Sequence, residues 1–168
     1  MEFFPEEGKY HADGHSDCQV CLEPQETRRL GGICPLCSKP LTIGVQYRVK
    51  ELADRALPYF PVSAPEVFSL IPLPEILGEL LDCGPLTKGV MRHYAQALAI
   101  FGSEFELLLR TPVVEIEHHA PLLAEAIRRV RSGAVIRQPG YDGRFGIIRT
   151  FAPGELGSRK GSVALFSG

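Results

Sequence analysis

A chain of 168 residues, 45% hydrophobic and 23% charged, has the size and composition of one soluble domain or two small ones. Its net charge of −2 conceals an asymmetry: residues 1–84 carry 7 basic and 13 acidic side chains, residues 85–168 carry 11 and 7, so a polyanion is expected to meet the second half. No apolar run approaches a membrane span and MEFFPEEGKYH lacks the regions of a signal peptide, which excludes a membrane protein and predicts a cytoplasmic one whose five cysteines are metal ligands and a buried thiol (Cys83) rather than disulfides.

Glu2-Phe3-Phe4-Pro5 reads as the end of a strand running into a loop. Residues 11–45 are rich in Gly, Cys and Pro with little apolar periodicity, the composition of a unit organised by a metal rather than by a core. Two cysteine pairs stand in it, Cys18-Gln19-Val20-Cys21 and Cys34-Pro35-Leu36-Cys37, with two residues inside each pair and twelve between them. That is the spacing of a zinc knuckle or ribbon, and four protein ligands leave no open coordination position, so the expected Zn²⁺ is structural. His15, three residues before Cys18, competes for a place. Cys18, Cys34 and Cys37 appear in either scheme, and Cys21 and His15 contend for the fourth position. His11 reads as an ordered loop histidine.

Leu41–Val45 is expected as a short strand and Val49–Ala56 as a short helix. Prolines at 58, 61, 65, 72 and 74 mark an extended connector, interleaved with apolar residues. Helical periodicity then predicts helices over Pro74–Leu81, Thr87–Phe101, Ser103–Leu109 and Pro121–Arg131. Short apolar segments around Pro139-Gly140-Tyr141-Asp142-Gly143 predict a β-hairpin within Ala134–Phe151, and the Gly/Ser-rich residues after it a flexible tail. The expected fold is α+β, mainly α: a zinc-binding unit (1–57), a proline-rich connector (58–74), a helical DNA-binding domain (75–151) and a tail (152–168).

The turns Gly84-Pro85 and Phe101-Gly102-Ser103, each leading into a helix, resemble tandem helix-hairpin-helix units, in which backbone amides and a helix N-terminus hold a DNA phosphate. The same residues also suit a plain helical bundle. Six arginines follow, Arg128, Arg129, Arg131, Arg137, Arg144 and Arg149, beside Tyr141, Asp142 and Phe145. Arginines hold phosphates and aromatic faces stack on exposed bases, so these residues, with Tyr141 and Asp142 of the turn, are the candidate DNA contacts. The bland alternative for any such run is a solvated face.

Taken together, FFPEEGKYHADGH, CPLCSKPLTIGV, RVKELADR, FGSEFELLL and PGYDGRFG resemble the region that follows the PHP nuclease domain in the endonuclease Q family, over nearly the whole chain. The resemblance implies a zinc-binding domain followed by a helical domain, in a protein that nicks DNA at deaminated bases and abasic sites. It also implies His15 as the ligand preceding Cys18, a role Cys21 fills in the alternative. PHP metal-binding motifs are not among these residues, so the chain is expected to bind and position DNA while a PHP nuclease domain, in cis or in trans, cuts it. Val163-Ala164-Leu165-Phe166 resembles the Leu-Phe motifs that dock on a sliding clamp, or is a free terminus. Helicase activity is not supported, because no GxxxxGK[ST] phosphate loop is present. Two rivals are a protein-interaction module that docks on a separate catalytic chain and, more weakly, a small zinc hydrolase.

Overall fold

The computed structural model describes residues 2–55, 59, 61–157 and 165–166. In chain order the elements are β1 (Glu2–Phe3), β2 (Asp13–His15), β3 (Val20–Leu22), α1 (Pro24–Arg29), α2 (Val45–Leu52), β4 (Ser69–Leu70), α3 (Leu73–Leu81) and α4 (Lys88–Phe101). A π-helical turn (Glu106–Arg110), α5 (Val113–His119), α6 (Pro121–Ser132), β5 (Ile136–Gln138) and β6 (Ile147–Arg149) follow. The fold is mainly helical with short strands, as expected.

The chain forms two units that are not consecutive segments of sequence. The knuckle unit comprises Phe4–Val67 with Arg137–Ile148, and the helical unit comprises Met1–Phe3, Phe68–Ile136 and Arg149–Gly168. The sequence suggested a break near the proline connector. It did not suggest that the turn-rich ribbon would return to the cysteine-bearing unit.

The helical unit has an apolar core. Leu73, Ile76, Leu77, Val90, Leu107, Leu108, Ile116, Leu123, Ala124 and Ile127 are buried. Their spacing puts one stripe of each helix inward, so α3 packs on α4 and α5 on α6. Thr87 caps α4, its hydroxyl accepting from the Val90 amide. Pro112 precedes α5 as its N-cap residue and Pro121 opens α6, positions where a missing N–H breaks no helical hydrogen bond. At the C-terminal end of α3, Asp82 takes a left-handed conformation (φ 55°). Cys83, expected to be buried, is exposed there, 3.3 Å from the Thr87 hydroxyl. Parallel β1 and β4 pair Glu2 with Ser69 and Phe3 with Leu70.

Part of the expected tail is packed. Just before it, Glu79 accepts hydrogen bonds from the amides of Thr150 and Phe151 and from the Thr150 hydroxyl. Leu156, Leu165 and Phe166 are buried, and the Phe166 ring stacks on His93 with centroids 5.9 Å apart. Leu165 and Phe166 therefore do not stand out as a displayed docking motif; Val163 and Ala164 lie outside the described residues.

The knuckle unit has little apolar interior: Phe4, Ala12, Cys34 and Leu41 are its buried hydrophobic residues among those described. Polar cross-links take over. Antiparallel β2 and β3 pair Asp13 with Leu22, Gly14 with Cys21 and His15 with Val20. Gly14 and Thr42 exchange backbone hydrogen bonds, 2.9 and 2.8 Å, on the other edge of β2. The strand expected at Leu41–Val45 is thus a single bridge, because Asp13, fully buried, accepts from the Gly44 amide at 2.7 Å and the chain turns into α2 at Val45. Gly44 lies so close to the Ala12 carbonyl that a Cβ would overlap it. The helix expected at Val49–Ala56 accordingly begins four residues earlier, and Ala56 lies outside the described residues.

Candidate metal centre

His15 ends β2, and a 3₁₀ turn over Ser16–Cys18 carries Cys18. Gln19 then adopts φ 55° and sends the chain back as β3. This reversal separates the first cysteine pair. Cys18 stays at the turn, whereas Cys21 lies in β3 opposite Gly14 with an exposed side chain. The second pair keeps together. Cys34 donates its amide to the Lys39 carbonyl at 2.8 Å and accepts from the Ser38 amide at 3.0 Å, with Ser38 at φ 60° closing the loop.

The donor atoms of His15, Cys18, Cys34 and Cys37 all lie within 4.8 Å of one another, and Cys37 Sγ is 4.0 Å from His15 Nε2. Zinc–sulfur and zinc–nitrogen distances of about 2.3 and 2.0 Å give a tetrahedron with edges of roughly 3.5–3.8 Å. The cluster is therefore near tetrahedral scale. Three thiols and one imidazole, with no carboxylate, form a soft donor set suited to zinc and unsuited to calcium or magnesium. Electrostatics support the fit. Hydrogen bonding to Cys37, then burial and the nearness of Cys34, push the Cys18 thiol up to about 11. Burial also pushes the Cys34 thiol upward, but the amides of Leu36 and Cys37 and its sulfur neighbours outweigh it and leave the group lowered. So closely spaced a set of sulfurs holds a proton unless a cation replaces it. The group that comes together contains His15, and Cys21 stands outside it.

The ribbon from the far end of the chain braces this loop. Tyr141 and Arg144 exchange backbone hydrogen bonds across a two-residue turn in which Asp142 and Gly143 have φ 44° and 85°. Both positive values match the Asp-Gly preference of a primed hairpin turn. Asp142 Oδ2 accepts from the Ser16 amide at 2.6 Å, and Oδ1 accepts from the Thr42 hydroxyl at 2.5 Å. These donors hold its carboxyl below the usual range. The Tyr141 ring lies against Gly14, where a Cβ would collide with it. The side chains of Tyr141 and Asp142, both candidate DNA contacts, frame the loop that carries His15 and Cys18.

The arginines divide in the same way. Arg129 bonds Glu125, Glu155 and the Thr150 carbonyl and lies 4.4 Å from the Phe151 ring centroid. Arg131 donates to the carbonyls of Leu107 and Leu108, both at 2.8 Å, in the π-helical turn. Arg128 pairs with Glu125. Arg137 pairs with Glu6 at 3.0 Å and lies 5.1 Å from the Phe4 ring centroid. Arg144 and Arg149 are exposed and form no ion pair among the described residues. Separately, in the helical unit, an open apolar cleft of about 340 Å³ is lined by Phe3, Leu70, Ile71, Pro72, Phe105 and Leu108. Sequence reasoning passed over Lys9 and Tyr10, although the adjacency of cation and aromatic in Gly8-Lys9-Tyr10 was a signal.

Known proteins share this fold. The lesion-specific endonuclease PfuEndoQ from Pyrococcus furiosus superposes with a TM-score of 0.77 at 33% identity, covering 88% of this chain and 36% of that one. Endonuclease Q in complex with a 27-mer duplex substrate, an abasic lesion at its active site, gives 0.73 at 33% identity over 94% of this chain and 39% of that one. The resemblance to endonuclease Q is borne out. Residues 72–134 also match the family model described as the MJ0043 C-terminal domain. The uncharacterized protein MJ0043 of Methanocaldococcus jannaschii is 31% identical over 149 residues, 89% of this chain and 19% of that protein. The chain thus spans about a fifth of that relative and somewhat over a third of the endonucleases. It is related to a DNA repair endonuclease. No helix among the described residues is long and apolar enough to cross a membrane.

Proposed function

We propose that this chain is the zinc-stabilised DNA-binding portion of an endonuclease Q-like repair protein that works in the cytoplasm on deaminated or abasic sites. The observation that carries the reading is the joint match in sequence and fold, over most of the chain, to an endonuclease solved on a duplex with an abasic lesion.

His15, Cys18, Cys34 and Cys37 would hold Zn²⁺, which would supply a cross-link between β2 and the second knuckle and no open position for chemistry. Asp142 orients this loop by holding the Ser16 amide. Exposed Arg144 and Arg149 supply phosphate contacts, which position DNA without reading its sequence. Strand cleavage belongs, in this reading, to a PHP nuclease domain joined in cis or in trans.

The test is equilibrium binding of the purified chain to a duplex carrying one abasic site and to an intact duplex, across a salt series. Binding that weakens steeply with salt is expected, since each neutralised phosphate releases counterions. Absence of binding to either duplex at low salt would contradict the reading.

A further inference from the structure

We propose that Tyr10 and Phe145, with Lys9 between them and Arg144 beside them, form a platform in the knuckle unit on which unpaired DNA bases stack. The proposal rests on the DNA-binding reading above and adds to it the form of DNA taken and the side chains that take it.

The platform is built by backbone, and its exposed side chains are left over. The Lys9 carbonyl accepts from the Gly143 amide at 2.9 Å, the Tyr10 carbonyl from the Val45 amide at 2.8 Å, and the Glu7 carbonyl from the Gly146 amide at 2.9 Å. A Cβ on Gly140 or Gly146 would overlap backbone carbonyls of Gly8 or Glu6, so the ribbon lies flush on the N-terminal segment only because both are glycine. Phe145 sits between two such anchored positions, Arg144 in its closed turn and Gly146. Its backbone is fixed while its ring remains 73% exposed, and Tyr10 is 48% exposed. Lys9 Nζ stands 5.6 Å from the Tyr10 ring centroid and 5.8 Å from that of Phe145.

Two exposed aromatic side chains on a hydrogen-bonded backbone, sharing one ammonium, suit a ligand with a flat π face and a flanking negative charge. A base freed from its stack, with its phosphate, has both. Charge favours the same occupant. Lys9 and Arg144 form no ion pair among the described residues, while Glu6 takes Arg137 and both oxygens of Asp142 are bonded within the unit. Ordinary duplex DNA keeps its bases stacked inside, so the platform discriminates unpaired from paired DNA.

The experiment uses the full zinc-loaded chain and two probes, an oligothymidylate and an intact duplex, with the variants Phe145→Leu, Phe145→Trp and Tyr10→Leu. Metal content and thermal unfolding of each variant verify the fold. Loss of one stacking ring should weaken oligothymidylate binding by about 5- to 150-fold and duplex binding by less than about twofold, while Phe145→Trp retains both. Wild-type affinity of Phe145→Leu and Tyr10→Leu for the oligothymidylate, with duplex binding intact, would overturn the platform and leave the DNA-binding reading standing. Equal loss from both probes would also overturn it. Failure of the wild-type chain to bind either probe would overturn that reading, and the platform with it.

Discussion

The two units of this chain solve the same problem by opposite means. The helical unit closes over Leu73, Ile76, Leu77, Leu107, Leu123 and Ile127, all essentially inaccessible to water, and its stability comes from burying apolar stripes of adjoining helices. The knuckle unit buries few apolar side chains and is tied instead by Asp13 to Gly44 and Asp142 to Ser16 and Thr42, and it gathers three thiols and an imidazole in a cluster that could hold a metal ion. A core built from many small contacts fails gradually when one is removed, whereas a unit held by a few polar ties fails when one central tie is cut.

Cutting the central tie should give the largest effect. Cys34→Ser and His15→Ala are each expected to abolish stoichiometric zinc binding and the knuckle fold, while Cys21→Ala leaves zinc content unchanged; native mass spectrometry reads this directly. The helical unit should be next. Leu77→Ala is expected to destabilise it by about 2–5 kcal/mol, measured by denaturant unfolding, with zinc content unaffected. Asp142→Ala should cost the knuckle unit about 1–3 kcal/mol, because the Ser16 amide and Thr42 hydroxyl lose their acceptor. Zinc affinity should fall in that variant without being lost.

Acid should separate the units with the smallest perturbation. Glu155 is held down to about 2, first by the Arg129 guanidinium and then by the Ala152 amide, against an ordinary value of 4.5. A depressed carboxylate contributes stability that is complete above 4.5, declines below it and is gone below about 2. In the knuckle unit protons compete with the metal for thiols and imidazole, so zinc release should come at higher pH than loss of the Glu155 contact. A pH titration followed by zinc release and by helical circular dichroism gives the order, and simultaneous loss would remove the distinction.

What was legible in the sequence follows this contrast. The helices α3, α4 and α6 were visible because apolar residues recur at helical spacing, and the cysteine pairs because knuckle spacing is local. The short α1 was missed, since Pro24–Arg29 buries only Pro24 and Thr27 and shows almost no periodicity. That His15 rather than Cys21 joins the other three donors follows from one left-handed residue, Gln19, after which Cys21 lies in β3; either spacing alone permitted both. The arginines show the limit most plainly. Arg129 with Glu125 is an i,i+4 pair readable from sequence. Arg137 with Glu6 spans 131 residues and Arg131 with the Leu107 carbonyl spans 24, so partners that occupy these side chains were invisible.

The central claim is that metal ties hold one unit and apolar packing the other. Hydrogen exchange at residue resolution, with and without a zinc chelator, tests it most directly. Amides of residues 4–55 and 137–148 should lose protection on chelation while those of 73–132 keep theirs. Unchanged protection in the first set, or equal loss in both, would contradict it.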